Sequence, residues 1–261
     1  MLTNKHLFQF GVFLLALVGA YTVSGQRSNT RAVQAMTLVF RESAAHPNEQ
    51  PIEVDKLFAV DRQGSRTNLT QPSSKHKTGQ EARNVFLTPE RKYVVIADAI
   101  RAISTFPLTK QKADSAKLIT ISERCEESGL NPVGETKLLD FAAYAYTQSR
   151  RANRLSRSTS WRAPTLDCRE LRYLEEQLDE NGQVTHTFER VATKVTLGDP
   201  DPALFLIPGG YREIPPSQAN LELMERRAGK PIDGPTLQRM KPAMIKMDEH
   251  YQEGRRVAQI P

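Results

Sequence analysis

Alternating apolar and polar residues recur in short runs along most of the chain. In Ala35–Glu42, every second residue from Met36 to Phe40 is a large apolar one, which is the period of a β-strand with one buried face. Tyr93–Ala97 is continuously apolar and predicts a strand buried on both faces. Turn sequences separate these runs, with Gly64 as a typical turn residue, so the pattern predicts a series of β-hairpins.

The turn sequence Asp179–Gly182 lies between two segments of different character. The leucines of Leu171–Leu178 have helical spacing, but the turn favours a hairpin, so we predict a strand on each side of it. In the second arm, Gln183–Leu197, the apolar positions change parity after Phe188. That change predicts a β-bulge.

After residue 215 the pattern becomes helical. Ser217 is predicted to cap a helix that ends at Gly229, and Thr236 a second helix that Pro242 would bend. The apolar residues of the second helix recur at steps of three and four residues: Leu237, Met240, Met244, Met247 and Tyr251. We expect this stripe to pack on its own domain, with binding to a partner as the alternative.

The N-terminal segment predicts export. Lys5 precedes the uncharged run Leu7–Val23, and small residues follow it, so cleavage by a signal peptidase is expected before Gln26. The run has 17 residues. Because a membrane span needs roughly 20, retention as an anchor through residues 7–23 is the alternative. We therefore expect an exported protein, periplasmic or secreted.

These patterns divide the chain into four predicted segments. They are a signal peptide or anchor (1–25), a flexible leader (26–34), an antiparallel β domain (35–215) and a helical C-terminal tail (216–261).

Export gives the two cysteines a meaning. In an oxidising compartment an even number of cysteines predicts a disulfide, here Cys125–Cys168. Two cysteines are too few for a zinc site of the finger type.

Five arginines form the densest group of like charge: Arg150, Arg151, Arg154, Arg157 and Arg162. No acidic residue occurs from Phe141 to Leu166, so this basic face is a candidate for binding phosphate or carboxylate groups on an anionic envelope surface. The alternative is a solvated strand and loop. Nucleic acid is not expected as a partner, because of export and because Trp161 alone interrupts the run with an aromatic ring.

Residues with catalytic or metal-binding chemistry do not form a recognisable pattern. His46, His76, His186 and His250 have no second histidine or cysteine at ligand spacing, so neither a metal nor another cofactor is expected. Nucleophile motifs are also missing. The sequence thus favours a protein that is not an enzyme.

Three segments together resemble a known group of proteins. Trp161–Cys168, Asp179–Gly182 and Asp199–Tyr211 resemble motifs of exported bacterial proteins of unknown function whose shape is similar to the lipoprotein-carrier (LolA-like) half-barrel. The resemblance implies an α+β, mostly β fold, in which a curved antiparallel sheet has an apolar concave face. By analogy it implies binding of a lipid or other apolar ligand. The alternative is an envelope scaffold protein that acts through the basic face or the C-terminal helices.

Overall fold

The structure is a computed structural model that describes residues 29–46, 49–71, 82–121, 123–126, 130–151 and 155–257. The predicted signal segment therefore lies outside the described residues, as do His76 and Arg154. Within the described part, none of the helices is long and apolar enough to cross a membrane.

The described residues form fourteen strands and three α-helices. The strands are β1 (Asn29–Ala32), β2 (Met36–Ala45), β3 (Ile52–Val60), β4 (Arg66–Gln71), β5 (Arg83–Leu87), β6 (Lys92–Ala97), β7 (Ala102–Pro107), β8 (Leu118–Ile121), β9 (Asn131–Leu138), β10 (Phe141–Arg151), β11 (Leu155–Ala163), β12 (Arg169–Leu178), β13 (Val184–Leu197) and β14 (Arg212–Glu213). The helices are α1 (Lys110–Ser115), α2 (Pro216–Ala228) and α3 (Gly234–Val257).

Twelve of the strands form one sheet in the order β14-β7-β6-β5-β4-β3-β2-β13-β12-β11-β10-β9. Every neighbouring pair is antiparallel except β14 with β7. The outer strands β14 and β9 are not paired with each other, so the sheet is open. The prediction of a mostly β, antiparallel fold with C-terminal helices is confirmed.

The predicted hairpin around Asp179–Gly182 is present. It joins β12 to β13, so both arms are strands despite the helical spacing of the leucines in the first. The register of β13 against β2 shifts between Ala192 and Lys194, which is the irregularity that the parity change predicts.

A contact across the sheet shows that it curves. The guanidinium of Arg169, the first residue of β12, lies 4.9 Å from the ring centroid of Phe58 in β3. These strands are three positions apart in the sheet. In a flat sheet they would be about 14 Å apart, which is farther than an arginine side chain reaches. We call the face that carries Phe58 the concave face and the opposite one the convex face.

Part of the concave face is covered by other segments of the chain. Met36, Leu38 and Val60 are fully buried there, together with Leu166, and Ile119 of β8 packs against this cluster. Residues 29–32 of the predicted flexible leader form β1, which pairs with β8. The prediction of a flexible leader did not include this pairing, because the partner strand β8 lies almost 90 residues further along the chain.

The C-terminal helices cover the concave face over β6 and β7. Ala219 and Leu223 of α2 pack against Ala102, and the buried ring of Tyr251 in α3 meets the ring of Phe106 edge-on at 5.1 Å. On the convex side, the same strands are covered by the Asp199–Tyr211 motif, which packs on them through Phe205, Ile207 and Tyr211.

Both predicted helix caps are wrong. Ser217 lies inside α2, where its hydroxyl donates to the carboxylate of Asp248 in α3. At the start of α3, Asp233 accepts the backbone amide of Thr236 at 2.8 Å, so the acid is the capping group. Pattern alone could not separate these roles, because serine, threonine and aspartate all cap helices.

Candidate binding site on the concave face

The chain enters β12 through two residues with left-handed backbone conformation. Asp167 has φ 55° and Cys168 has φ 54°. Such a conformation costs a non-glycine residue on the order of 1–3 kcal/mol and persists only where surrounding contacts fix it. Here the side chain of Asp167 is 0% exposed and forms an ion pair with Arg31 at 2.7 Å, while its second oxygen accepts the amide of Gln34 at 2.6 Å.

A disulfide constrains Cys168, the residue that follows Asp167. Cys168 is joined to Cys125, the pair that the cysteine count predicts, with Cα atoms 5.3 Å apart. The bond closes a loop that contains β9, β10 and β11. Together with the contacts of Asp167, it determines where the following residue, Arg169, points.

Three arginines lie over phenylalanine rings on the concave face. The distances from guanidinium carbon to ring centroid are 4.9 Å, 5.4 Å and 5.9 Å for Arg169 over Phe58, Arg190 over Phe40 and Arg66 over Phe86. Such pairs are attractive because the ring face is electronegative. The concave face therefore combines aromatic rings with charged side chains and is not uniformly apolar, as the resemblance implies it to be.

Arg190 is neutralised by neighbouring acids. Its Nη2 forms an ion pair with Glu170 at 2.5 Å, and its Nη1 lies 3.9 Å from Glu42. Lys56 pairs with the second oxygen of Glu42 at 3.1 Å. The middle of the concave face thus carries a matched set of charges.

Arg169 has no such partner. Its Nε and Nη2 are inaccessible to solvent and have no hydrogen-bond partner among the described residues. Burial lowers the pKa of Arg169 to about 10, and the nearby charge of Arg66 contributes to this lowering, while Asp167 acts in the opposite sense. Arg66 donates through Nη2 to the carbonyl of Ala116 at 3.3 Å, but its Nε is also buried and unpaired within the described residues.

Beyond the arginines, towards the C-terminal ends of β2 and β12 and the N-terminal end of β13, the side chains of the concave face are half-buried. Tyr173 and Phe188 have ring centroids 6.2 Å apart there. Burial, followed by the hydrogen bond to Glu175, raises the pKa of Tyr173 to about 12. His46 and His186 lie side by side with centroids 4.7 Å apart, and burial together with His46 lowers the pKa of His186.

The convex face has a different electrostatic arrangement. Across neighbouring strands, oppositely charged residues pair at 2.7 Å, 2.7 Å and 3.4 Å: Arg157 with Glu176, Arg172 with Glu189, and Arg41 with Asp55. Arg172 also lies over the ring of Trp161 at 4.6 Å.

The predicted basic face is divided by the strand register. Arg157 is paired with Glu176 on the convex face, and Arg162 lies beyond a register shift. Arg150 and Arg151 belong to β10. Binding of an anionic surface by these residues stays a prediction. In the described part of the chain, no group of three or more histidine, cysteine, aspartate or glutamate side chains could hold a metal ion.

No protein-family model matches the sequence, and no curated protein matches it. Solved structures similar to this chain include an uncharacterized conserved protein from Thermus thermophilus, with 13% identity, coverage of 67% of this chain and 89% of that one, and a TM-score of 0.40. The MucA/MucB complex of Pseudomonas aeruginosa is similar at 14% identity, with 69% of this chain and 58% of the matched chain covered and a TM-score of 0.37. This chain thus spans less than two thirds of that protein.

A LolA superfamily protein from Nitrosomonas europaea is also similar, at 9% identity, with 67% of this chain and 90% of that one covered and a TM-score of 0.33. That protein belongs by name to the superfamily whose half-barrel the sequence motifs of this chain resemble. Identities this low, with TM-scores below 0.5, say nothing about what this chain binds.

Proposed function

We propose that this chain is a binding protein without enzymatic activity, which holds an amphiphilic, lipid-type ligand against the concave face of its sheet. The observation that carries the proposal is the set of aromatic rings on this face: Phe40, Phe58, Phe86, Tyr173 and Phe188. Phe40 is nearly buried, whereas the other four residues are half-buried. A partly exposed aromatic surface inside a curve is suited to an apolar tail.

The proposal places the protein outside the cytoplasm. The disulfide between Cys125 and Cys168 supports this, because such bonds persist in oxidising compartments. The uncharged run Leu7–Val23 supplies a means of export, whether it is cleaved or kept as an anchor.

Titration with N-phenyl-1-naphthylamine, an uncharged dye that fluoresces in apolar surroundings, tests the proposal. We expect saturable binding by the full chain, and we expect Phe188→Ala to weaken it several-fold because the substitution removes a half-buried ring from the concave face. Leu174→Ala is the matched control, since Leu174 lies opposite Glu189 on the convex face of the neighbouring strand. Unsaturable dye binding, or equal effects of the two substitutions, would contradict the proposal.

A further inference from the structure

Arg169 follows two residues whose backbone conformation is fixed by tertiary contacts. Two strained residues precede it, and an ion pair and a disulfide hold them. The result is a guanidinium that extends over Phe58, three strands away, close to the aromatic surface. Positions fixed at such a conformational cost are concentrated at functional sites.

The guanidinium lacks the partner that its burial calls for. Arginine keeps its charge at physiological pH and carries five N–H donors. Two donor nitrogens of Arg169 are buried without an acceptor among the described residues. A buried charge is costly unless it is paired and hydrogen-bonded, so the site is electrostatically incomplete without an anion.

The carboxylate of Asp167, two residues earlier in the chain, does not fill this role. One oxygen of Asp167 is taken by Arg31, and the other accepts the amide of Gln34 at 2.6 Å. The charge of Asp167 acts on the pKa of both Arg66 and Arg169, but its two oxygens are already occupied by Arg31 and Gln34. It therefore does not supply the acceptor that Arg169 lacks.

The two free nitrogens of Arg169 define the chemistry of the missing group. Nε and Nη2 form one edge of the guanidinium, and that edge binds two oxygens of a planar or tetrahedral oxyanion side by side. The protein uses the same pair of nitrogens elsewhere, in Arg31 on Asp167 and in Arg172 on Glu189. A carboxylate or a phosphate fits this edge, and the unpaired Nε of Arg66 adds a further donor.

We propose that Arg169 and Arg66 form an oxyanion site that binds the phosphate or carboxylate headgroup of the ligand, while its tail lies along the aromatic concave face. This inference rests on the proposed function for the tail, but the oxyanion site itself does not. Nε and Nη2 of Arg169 are themselves covered, but Asn68, next to Phe58 on the same face, is exposed. The headgroup would therefore reach the two arginines from the side of Asn68.

Three probes separate the headgroup from the tail: dodecyl phosphate, dodecyl maltoside and inorganic phosphate, each titrated into the full chain by calorimetry below micellar concentrations. We expect dodecyl phosphate to bind about tenfold to a hundredfold more tightly than dodecyl maltoside, which is the size of one or two charge-assisted hydrogen bonds. Arg169→Gln should remove this preference without changing the affinity for dodecyl maltoside. Arg172→Gln, on the convex face, is the matched control and should leave both affinities unchanged.

The outcomes distinguish the two proposals. Equal binding of both amphiphiles, or equal effects of Arg169→Gln and Arg172→Gln, would overturn the oxyanion site and leave the proposed function standing. Binding of inorganic phosphate that depends on Arg169, without binding of either amphiphile, would support the site with a free oxyanion as its ligand and overturn the proposed function. If Arg169→Gln unfolds, Arg66→Gln provides the same comparison, and an unchanged preference there would overturn the site.

Discussion

Arginine side chains on the two faces of the sheet differ in their ion-pair partners. On the convex face, Arg157 and Arg172 each pair with a glutamate on the adjacent strand at 2.7 Å. On the concave face, Arg190 is also paired, but Arg169 is left with two buried nitrogens that have no partner in the described part of the chain. Arginines thus pair with acids on both faces of the sheet. Arg169, the first residue of β12, is an exception because of its local surroundings.

The comparison shows that a paired charge and an unpaired charge indicate different roles. Exposed pairs across strands contribute about 0–1 kcal/mol each and are typical of a solvated surface. A buried charge without a partner reduces the stability of the empty protein and can be neutralised by a ligand. The paired charges of the convex face are therefore typical of a solvated surface, whereas the unpaired charge on the concave face is the basis of the proposed binding site.

The largest expected effect is the loss of the buried acid beside the site. Asp167→Asn should lower the free energy of unfolding by about 3 kcal/mol, because it leaves Arg31 and the neighbouring arginines without their compensating charge. Glu176→Gln removes a convex acid whose side chain is 20% exposed and whose partner is 54% exposed, so it should cost below about 1 kcal/mol. Urea unfolding of both variants checks this, and equal losses would mean that the two faces do not differ in their electrostatics.

A smaller effect is expected at alkaline pH. Burial raises the pKa of Tyr93 on the concave face to about 12, whereas in the unfolded chain this phenol has its ordinary value of 10.0. Between these values the unfolded state releases the proton and the folded state keeps it, so the stability contributed by the neutral phenol is complete below pH 10 and is lost towards pH 12. Stability should therefore fall across this window.

Tyr93→Phe isolates the phenol from other groups. The variant keeps the ring against Phe106 but has no proton to lose, so its free energy of unfolding should fall less steeply than that of the natural chain between pH 10 and pH 12. Arg169 acts in the opposite sense in this window, because burial lowers its pKa to about 10, but it is common to both proteins. Parallel pH profiles would show that the phenol is not sequestered on the concave face.

Local patterns predicted the hairpins, the bulge in β13, the helical tail and the disulfide, because each depends on neighbouring residues or on a simple count. They did not predict the electrostatic site. Arg150–Arg162 was predicted to be a basic face because no acid is close to it along the chain. In the fold, however, the neighbouring strand β12 places Glu176 beside Arg157. Conversely, the acid two residues before Arg169 is taken by Arg31, which lies 136 residues from it. Pairing of charges in a sheet is set by strand register, which a single sequence does not contain.

The smallest effect tests the comparison most directly, because the expected change in the free energy of unfolding has opposite signs on the two faces. Arg169→Met removes the contact over Phe58 but also an unpaired buried charge, whose cost is the larger of the two, so the unfolding free energy of the empty protein should stay unchanged or rise by up to about 1 kcal/mol. Arg172→Met removes an ion pair with Glu189 and a contact over Trp161, so it should lower the same quantity by up to about 1 kcal/mol. Thermal unfolding without added ligand measures both. A clear loss of stability in Arg169→Met would mean that Arg169 has a partner within its own chain, and the electrostatic reason for an external anion would disappear.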